Sequence, residues 1–259
     1  MINIRELVKQ PEYDFLREDE HLKDNIMFLC VGGSHSYGTN VEDSDIDIRG
    51  VCFNKAEDLL GLSQFEQYTN KELDTTIYSF NKFMKLIINC NPNIIEMLGC
   101  RTEDYNMVSP LGQKLLDNVD LFLTKKAFYS FGGYATSQLK ELEKGIVNCH
   151  RTESAMTPQR INKHAMHLIR LYMMCYDILE NHRIVTYRSE KERELLLDIR
   201  NGKYSEDGVF NAEFYSLVNT WEDRMKGALA HCTLPDEPNM DLINEFMVYM
   251  NLKNLVGDE

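Results

Sequence analysis

The sequence predicts an α+β protein, in which a small mixed sheet with helices is followed by an all-helical C-terminal module. Two observations support this prediction. Up to about residue 110, short apolar or β-branched runs alternate with short helical runs. Beyond that point the strand pattern fades, and long segments carry apolar residues at i, i+3 and i+4. Pro110 and Gly112 interrupt the pattern, so we expect an α/β domain over 1–118 and a helical domain over 119–259.

The N-terminal elements follow from local patterns. An apolar run predicts a buried strand over 26–31 that ends at two glycines, and a second apolar run predicts a strand over 46–53. A β-branched run predicts a third strand over 74–78. The spacing of apolar residues predicts helices over 56–62, 80–89 and 94–98.

The C-terminal elements are all expected to be helices. Apolar residues recur at helical spacing in each of them, and Pro158 stands near the start of one, where a missing N–H costs little. The predicted helices span 125–144, 158–180, 190–200, 213–230 and 240–252.

The charge is strongly acidic but unevenly distributed. The 259 residues include 28 Lys and Arg against 41 Asp and Glu, for a net charge of −13. This total argues against a protein that coats nucleic acid, because phosphate contacts need a basic footprint. The segment 121–200 holds 13 basic and 9 acidic residues and is net basic, whereas 1–120 and 201–259 are both net acidic. The charge therefore favours a small anionic ligand over an extended nucleic acid.

The cysteine pattern and the absence of long apolar runs predict a cytoplasmic protein. The seven cysteines form no C-x-x-C pair, which is typical of neither a disulfide framework nor a zinc site. The N-terminal residues are polar and charged, unlike a signal peptide, and no apolar run approaches the roughly 20 residues of a membrane span.

Gly-Ser and Asp-x-Asp elements stand out between the first two predicted strands. Gly33 and Ser34 follow the first strand, where glycine lets a backbone approach phosphate closely. Asp45 and Asp47 open the second strand, and alternation places them on one face. Two such carboxylates repel unless a cation lies between them, and Mg²⁺ prefers oxygen ligands. Asp74 opens the third strand and could supply a third carboxylate.

Other interpretations of these residues exist. Each element alone is most often a turn or a solvated strand end, and the hypothesis depends on their combination in this order. Glu72 competes with Asp74 for the third position. A Ca²⁺ loop of Asp43, Asp45 and Asp47 is also conceivable, but the bidentate Glu expected in such a loop is missing.

Four segments resemble the nucleotidyltransferases of the DNA polymerase β superfamily. More narrowly, they are similar to a bacterial and phage group of predicted nucleotidyltransferases that includes polymerases associated with RNA ligases. The similarity covers roughly residues 26–200, and the segments that carry it are Gly33–Thr39, Ser44–Gly50, Asn91–Leu98 and Lys163–Arg170.

The resemblance implies a role for each motif residue. Gly33 and Ser34 would hold the β- and γ-phosphates of a nucleoside triphosphate. Asp45 and Asp47 would bind two Mg²⁺ ions, and Asp74 would complete the second metal site and help to deprotonate the attacking hydroxyl. The implied reaction is transfer of a nucleoside monophosphate to an acceptor hydroxyl, with release of pyrophosphate.

The acceptor and even the activity stay open at this point. The acceptor hydroxyl could belong to an RNA or tRNA end, a protein side chain or a small molecule. The alternative is a non-catalytic nucleotide sensor or interaction protein that retains the fold, although an inactive site has no need of three carboxylates.

A basic stripe on the helix predicted at 158–180 adds a second element. Its members are spaced 3, 4 and 3 residues apart, so they share one helix face. The stripe would bind the triphosphate, with Arg as a forked donor and Lys as a point charge. A solvated basic face is the alternative. The stripe consists of Arg160, Lys163, His167 and Arg170.

Three further residues have structural interpretations. Arg49 has the same strand parity as the aspartates and could brace them through an ion pair. Glu96 could cap a helix or bridge core groups as readily as take part in catalysis. Tyr37 could stack on a base, but a tyrosine of the core is the commoner case.

Overall fold

A computed structural model describes residues 4–42, 44–148 and 157–257, without the side chains of 145–148. Within these residues, no helix combines the length and the apolar character that a membrane span requires. Cys149, one of the seven cysteines, and His150 lie outside the described part of the chain.

The N-terminal half forms a mixed five-stranded sheet in the order β3-β4-β2-β1-β5. Strand β1 lies inside the sheet and is antiparallel to both β2 and β5, whereas the central strand β2 runs parallel to β4 and β3 closes the edge antiparallel to β4. All six residues of β1 are buried, as expected for a continuous apolar run in an interior strand. The strands are β1 (Ile26–Val31), β2 (Ile48–Cys52), β3 (Gln67–Asn70), β4 (Thr75–Ser79) and β5 (Tyr105–Asn106).

Twelve α-helices occur in the described residues, and those of the C-terminal half are long. Short helices in the N-terminal half connect the strands, and single 3₁₀ turns occur among them. The helices are α1 (Ile4–Leu7), α2 (Phe15–Glu18), α3 (Gly33–Tyr37), α4 (Ala56–Leu60), α5 (Phe80–Ile87), α6 (Pro92–Ile95), α7 (Pro110–Leu116), α8 (Lys126–Asn148), α9 (Pro158–Asn181), α10 (Glu190–Arg200), α11 (Ala212–His231) and α12 (Met240–Val256).

The chain divides into two compact units. The first holds the described residues of 1–88, 93–122 and 238–259, and the second those of 89–92 and 123–237. The sheet belongs to the first unit, and helices α8 to α11 belong to the second. The last helix, α12, groups with the sheet, although it is far from it in sequence. The domain boundary predicted between residues 118 and 119 stays a prediction, because compact units need not coincide with domains.

The predicted fold class is confirmed, with one addition. Every strand and helix named from the sequence is present, and strand β1 has the predicted bounds. A small hairpin, β6 (Ser205–Glu206) and β7 (Val209–Phe210), interrupts the helical half. Sequence reasoning missed this hairpin, β3 and β5, since these strands are short and β3 is polar and half exposed.

Pro110 and Gly112, which interrupt the apolar pattern of the sequence, both belong to helix α7. Helix α7 begins at Pro110, and the Ser109 side chain caps it by accepting from the Gly112 N–H at 3.0 Å. A Cβ at Gly112 would lie 2.2 Å from the carbonyl oxygen of Met27 on β1. The two residues therefore start a helix and let it pack closely on the sheet.

Candidate active site

The turn between β1 and α3 brings backbone against a carboxylate. Gly32 donates its N–H to the carbonyl oxygen of Asp47 at 2.8 Å, and Gly33 adopts a φ of +58°. A Cβ at Gly33 would lie 1.9 Å from Oδ2 of Asp47. Only glycine meets both demands, since a side chain would be strained in this left-handed conformation and would collide with the carboxylate.

Ser34 lies in the first turn of α3, next to this glycine. Its carbonyl oxygen accepts the Thr39 N–H at 2.9 Å, which closes the short helix, and the Ser36 hydroxyl donates to the Gly33 carbonyl at 2.9 Å. These bonds fix the backbone of the turn, whereas phosphate binding by Gly33 and Ser34 stays a prediction.

Asp47 and Asp74 lie side by side because β2 and β4 are parallel neighbours. The register pairs Ile48 with Thr75. Asp47 and Asp74, which directly precede these two residues, therefore lie at the same edge of the sheet. The Ile48 N–H donates to the Asp74 carbonyl at 3.1 Å, and the Asp74 side chain lies close enough to Asp47 to raise the pKa of its carboxyl. Two of the three acids singled out from the sequence are thus brought together by the strand pairing.

Arg49 bridges these two acids. Its Nη2 lies 2.9 Å from Oδ1 of Asp47 and 3.0 Å from Oδ1 of Asp74, and its Nη1 donates to the Asp74 carbonyl. The ion pair that strand parity suggested is confirmed, and it includes Asp74 as well. A positive group therefore lies against both carboxylates.

Burial and neighbouring charges perturb Asp47. Burial raises the pKa of the Asp47 carboxyl to about 6, Arg49 opposes this effect, and the Asp74 and Glu96 carboxylates add to it. Crowded carboxylates of this kind favour either a shared proton or a nearby cation. A pKa perturbed by burial and by neighbouring charges is typical of functional sites.

The third acid of the predicted set is placed differently. Asp45 is exposed, and β2 begins only at Ile48, so strand alternation does not orient Asp45 and Asp47 as expected. Among the described residues, no group of three or more His, Cys, Asp or Glu is placed to hold a metal ion. Asp43 lies outside the described residues. The competing Glu72 is exposed in the turn before β4, and the metal-binding roles stay predictions.

Tyr37 and Glu96 form a polar contact beneath the site. Tyr37 is fully buried, and its hydroxyl donates to Oε2 of Glu96. The interpretation of Tyr37 as a residue of the core is therefore supported, and the Glu96 charge reaches Asp47. Sequence reasoning left Glu96 without a specific role. The signal that could have found it was its place in the segment Asn91–Leu98, which matched the family pattern.

With this geometry in place, the comparisons with known proteins decide the family. A family model described as the RNA repair pathway DNA polymerase beta family, RlaP, matches residues 8–248. The chain belongs to the RlaP family. Comparison with curated proteins and with solved structures gave no match. RlaP membership confirms the resemblance to polymerase-β-like nucleotidyltransferases that the sequence motifs suggested.

The basic stripe of this RlaP-family chain lies on α9 in the second unit. Lys163 and Arg160 are exposed near the start of the helix, whereas Arg170 is only 9% exposed. Nη2 of Arg170 donates to Nδ1 of His167 at 2.7 Å, and the His167 ring meets Tyr134 edge-on. A uniformly solvated basic face does not describe this arrangement, because its C-terminal part is packed. Triphosphate binding by the stripe stays a prediction.

The His167–Arg170 contact makes an acid-dependent contribution to stability. Burial, and then the Arg170, His164 and Lys163 charges, hold the pKa of His167 well below its ordinary value of 6.5. The folded chain therefore favours neutral His167, and this contribution is complete above about pH 6.5 and is lost as the pH falls below it. We expect His167→Asn, which keeps an acceptor near Nδ1, to lose less free energy of unfolding between pH 7.5 and 5.5 than the parent chain.

Urea unfolding at both pH values measures this difference. His231→Asn, at the exposed end of α11, is the matched control and should keep the pH dependence of the parent chain. Equal losses for the parent chain and His167→Asn would contradict the assignment.

Proposed function

We propose that the chain is a Mg²⁺-dependent nucleotidyltransferase that transfers a nucleoside monophosphate from a triphosphate to an acceptor hydroxyl, with release of pyrophosphate. The observation that carries the proposal is the adjacency of Asp47 and Asp74 beside the Gly33 turn, in a chain of the RlaP family. The family description refers to RNA repair, which supports the 3′ end of an RNA, such as a tRNA, as the acceptor.

The donor set suits magnesium. Asp47 and Asp74 offer carboxylate oxygens at one edge of the sheet, and Asp45 is exposed two residues before Asp47. The Arg49 guanidinium contacts one oxygen of each carboxylate, Oδ1 of Asp47 and Oδ1 of Asp74. Two magnesium ions, when bound, would stabilise the entering and leaving oxygens of an in-line displacement at the α-phosphate.

The protein residues have separate roles in this proposal. Asp45 and Asp47 hold the metal ions, and Asp74 completes the set and accepts the proton of the attacking hydroxyl. The glycine turn presents backbone without side chains, so the triphosphate can approach, and the Ser34 hydroxyl donates to it. Arg49 holds Asp47 and Asp74 at a fixed separation.

Helix α9 is proposed to bind the triphosphate through Lys163, and Arg170 and His167 are the further binding residues on the same helix face. We expect Lys163→Ala to weaken triphosphate binding about tenfold, the effect of losing one charge-assisted hydrogen bond. Equilibrium binding of a labelled triphosphate measures the change. Lys203→Ala is the matched control, because Lys203 is an exposed lysine of the same unit and pairs with Asp198. Equal affinity in both variants would return the stripe to a structural role.

Nucleotide transfer itself is the decisive experiment. The purified protein is incubated with Mg²⁺ and each α-labelled triphosphate, with RNA ends, total protein or small molecules as acceptors. Label in RNA, and its loss in an Asp45→Ala, Asp47→Ala double variant, is the expected result. Failure to bind or turn over any triphosphate under these conditions overturns the proposal.

A nucleotide-binding protein without transferase activity is the second candidate. It is favoured by the absence of a three-ligand cluster in the described residues and by the Arg49 guanidinium between Asp47 and Asp74. This candidate predicts saturable triphosphate binding without label transfer to any acceptor.

A further inference from the structure

A second site is present in the helical unit. Helices α8, α9 and α11 surround a pocket of about 210 Å³ that belongs entirely to this unit. Whole small-molecule sites usually enclose roughly 300–1,000 Å³, so this pocket accommodates a single ring system. The residues that matter for its chemistry are Tyr129, Gly132, Gly133, Tyr172, Glu222 and Lys226.

Two consecutive glycines form the floor of the pocket. Gly132 and Gly133 lie inside α8, although glycine is the least favourable residue in a helix interior apart from proline. A Cβ at Gly133 would meet nothing within 4 Å, and one at Gly132 would make an ordinary contact with Met225 at 3.6 Å. Close packing therefore does not require glycine at either position. Their effect is to leave an open space on the helix surface.

Aromatic rings stand beside this space. Tyr129 is 70% exposed, which is unusual for a large aromatic side chain, and its ring packs edge-on against Phe128 at a centroid distance of 5.4 Å. The exposed Tyr129 ring is therefore available to stack on a planar ligand. Tyr172 of α9 is almost fully buried and closes the inner side.

Two charged residues that form an ion pair also line the pocket. The Glu222 carboxylate and the Lys226 ammonium lie 2.7 Å apart on α11, and both side chains are partly exposed. Together they offer an acceptor and a donor beside the aromatic surface. A planar heterocycle with donors and acceptors on its edge matches this combination, and an unpaired nucleobase has both features.

We propose that this pocket binds one unpaired base of a single-stranded RNA, stacked on Tyr129 above the Gly132–Gly133 floor. A base inside a duplex is paired and stacked on its neighbours, so only an unpaired base can enter. The inference rests on the proposed function in one respect, namely that RNA supplies the acceptor. The pocket would then hold the acceptor strand independently of triphosphate and metal.

The test measures RNA binding without catalysis. An eight-nucleotide oligouridine with one 2-aminopurine is titrated with the full chain in EDTA and without triphosphate, and quenching of its fluorescence reports stacking. We expect Tyr129→Ala to weaken binding about tenfold and to abolish the quenching, since base–aromatic stacking contributes at this level. Gly133→Leu should have the same effect by filling the pocket, and it should not disturb the helix, because leucine is a better helix former.

Matched controls exist on α11. A Cβ at Gly227 also meets nothing within 4 Å, and Tyr215 is 40% exposed, but neither contributes to the pocket. Gly227→Leu and Tyr215→Ala should therefore bind and quench like the parent chain. Unchanged affinity in both pocket variants, or equal losses in the controls, overturns the proposal. Tight binding of an oligomer of the same length in which every nucleotide is abasic also overturns it.

The outcome is separable from that of the proposed function. Base-dependent binding in EDTA, together with an absence of label transfer, overturns the transferase and leaves the pocket assignment standing. Label transfer to RNA with unchanged RNA binding in the pocket variants supports the transferase and overturns the pocket assignment.

Discussion

Gly33→Ala is expected to abolish nucleotide transfer, with a loss of more than about a hundredfold. A methyl group at this position would fall 1.9 Å from Oδ2 of Asp47, so the carboxylate has to leave its place beside Asp74. Displacement of a proposed metal ligand should exceed the 10- to 100-fold loss typical of changes in its supporting contacts. The φ of +58° adds a loss of about 1–2 kcal/mol in the free energy of unfolding.

Single-turnover label transfer and urea unfolding measure the two effects separately. Gly257→Ala is the control for backbone strain alone, because Gly257 has a φ of +79° and open space around its Cβ position. It should change stability modestly and leave transfer intact. A Gly33→Ala variant with normal transfer would show that the position of the Asp47 carboxylate is unimportant.

Asp74→Asn is expected to reduce transfer by more than about a hundredfold, while the chain stays folded. The substitution keeps the shape of the side chain but removes the charge and most of the basicity. Asp74 has a φ of +38°, a conformation that asparagine also tolerates, so no backbone strain arises. Its side chain is 53% exposed, and loss of an ion pair at such a surface changes stability little.

Glu72→Gln is the matched control, since Glu72 is an exposed acid in the same turn. The Glu72→Gln variant should transfer label at the rate of the parent chain. The thermal unfolding midpoint of each variant checks that it is folded. The reverse pattern, in which Glu72→Gln is inactive and Asp74→Asn is active, would assign the third carboxylate to Glu72.

The element pattern and the family were accessible from the sequence. The apolar run of β1 and the helical spacing of α9 and α10 each depend on local burial, which leaves a direct periodic signal. The Gly33–Ser34 turn and the aspartates that follow it were recognisable because their spacing is itself the motif. Strands such as β3 and β5 were missed, because short edge strands are stabilised by their neighbours and carry little pattern of their own.

The sequence suggested an ion pair between Arg49 and the aspartates but could not choose its partners. Strand parity includes Asp45 and Asp47 equally, whereas the structure selects Asp47 and adds Asp74 from a different strand. Parallel pairing of β2 with β4 makes that selection, and no local rule specifies which strands pair. The buried position of Arg170 beside His167 was equally inaccessible, since a helical spacing does not show which part of a face is covered.

The sequence by itself determined the fold class, the family resemblance and the set of candidate residues, because each of these is encoded in short-range order along the chain. The tertiary structure decided which carboxylates are neighbours, why position 33 requires glycine and where the pocket of the helical unit lies. Each of these depends on contacts between residues far apart in sequence, such as Gly33 with Asp47 or α8 with α11. Such contacts are fixed by strand pairing and helix packing, which leave no periodic signal in the chain.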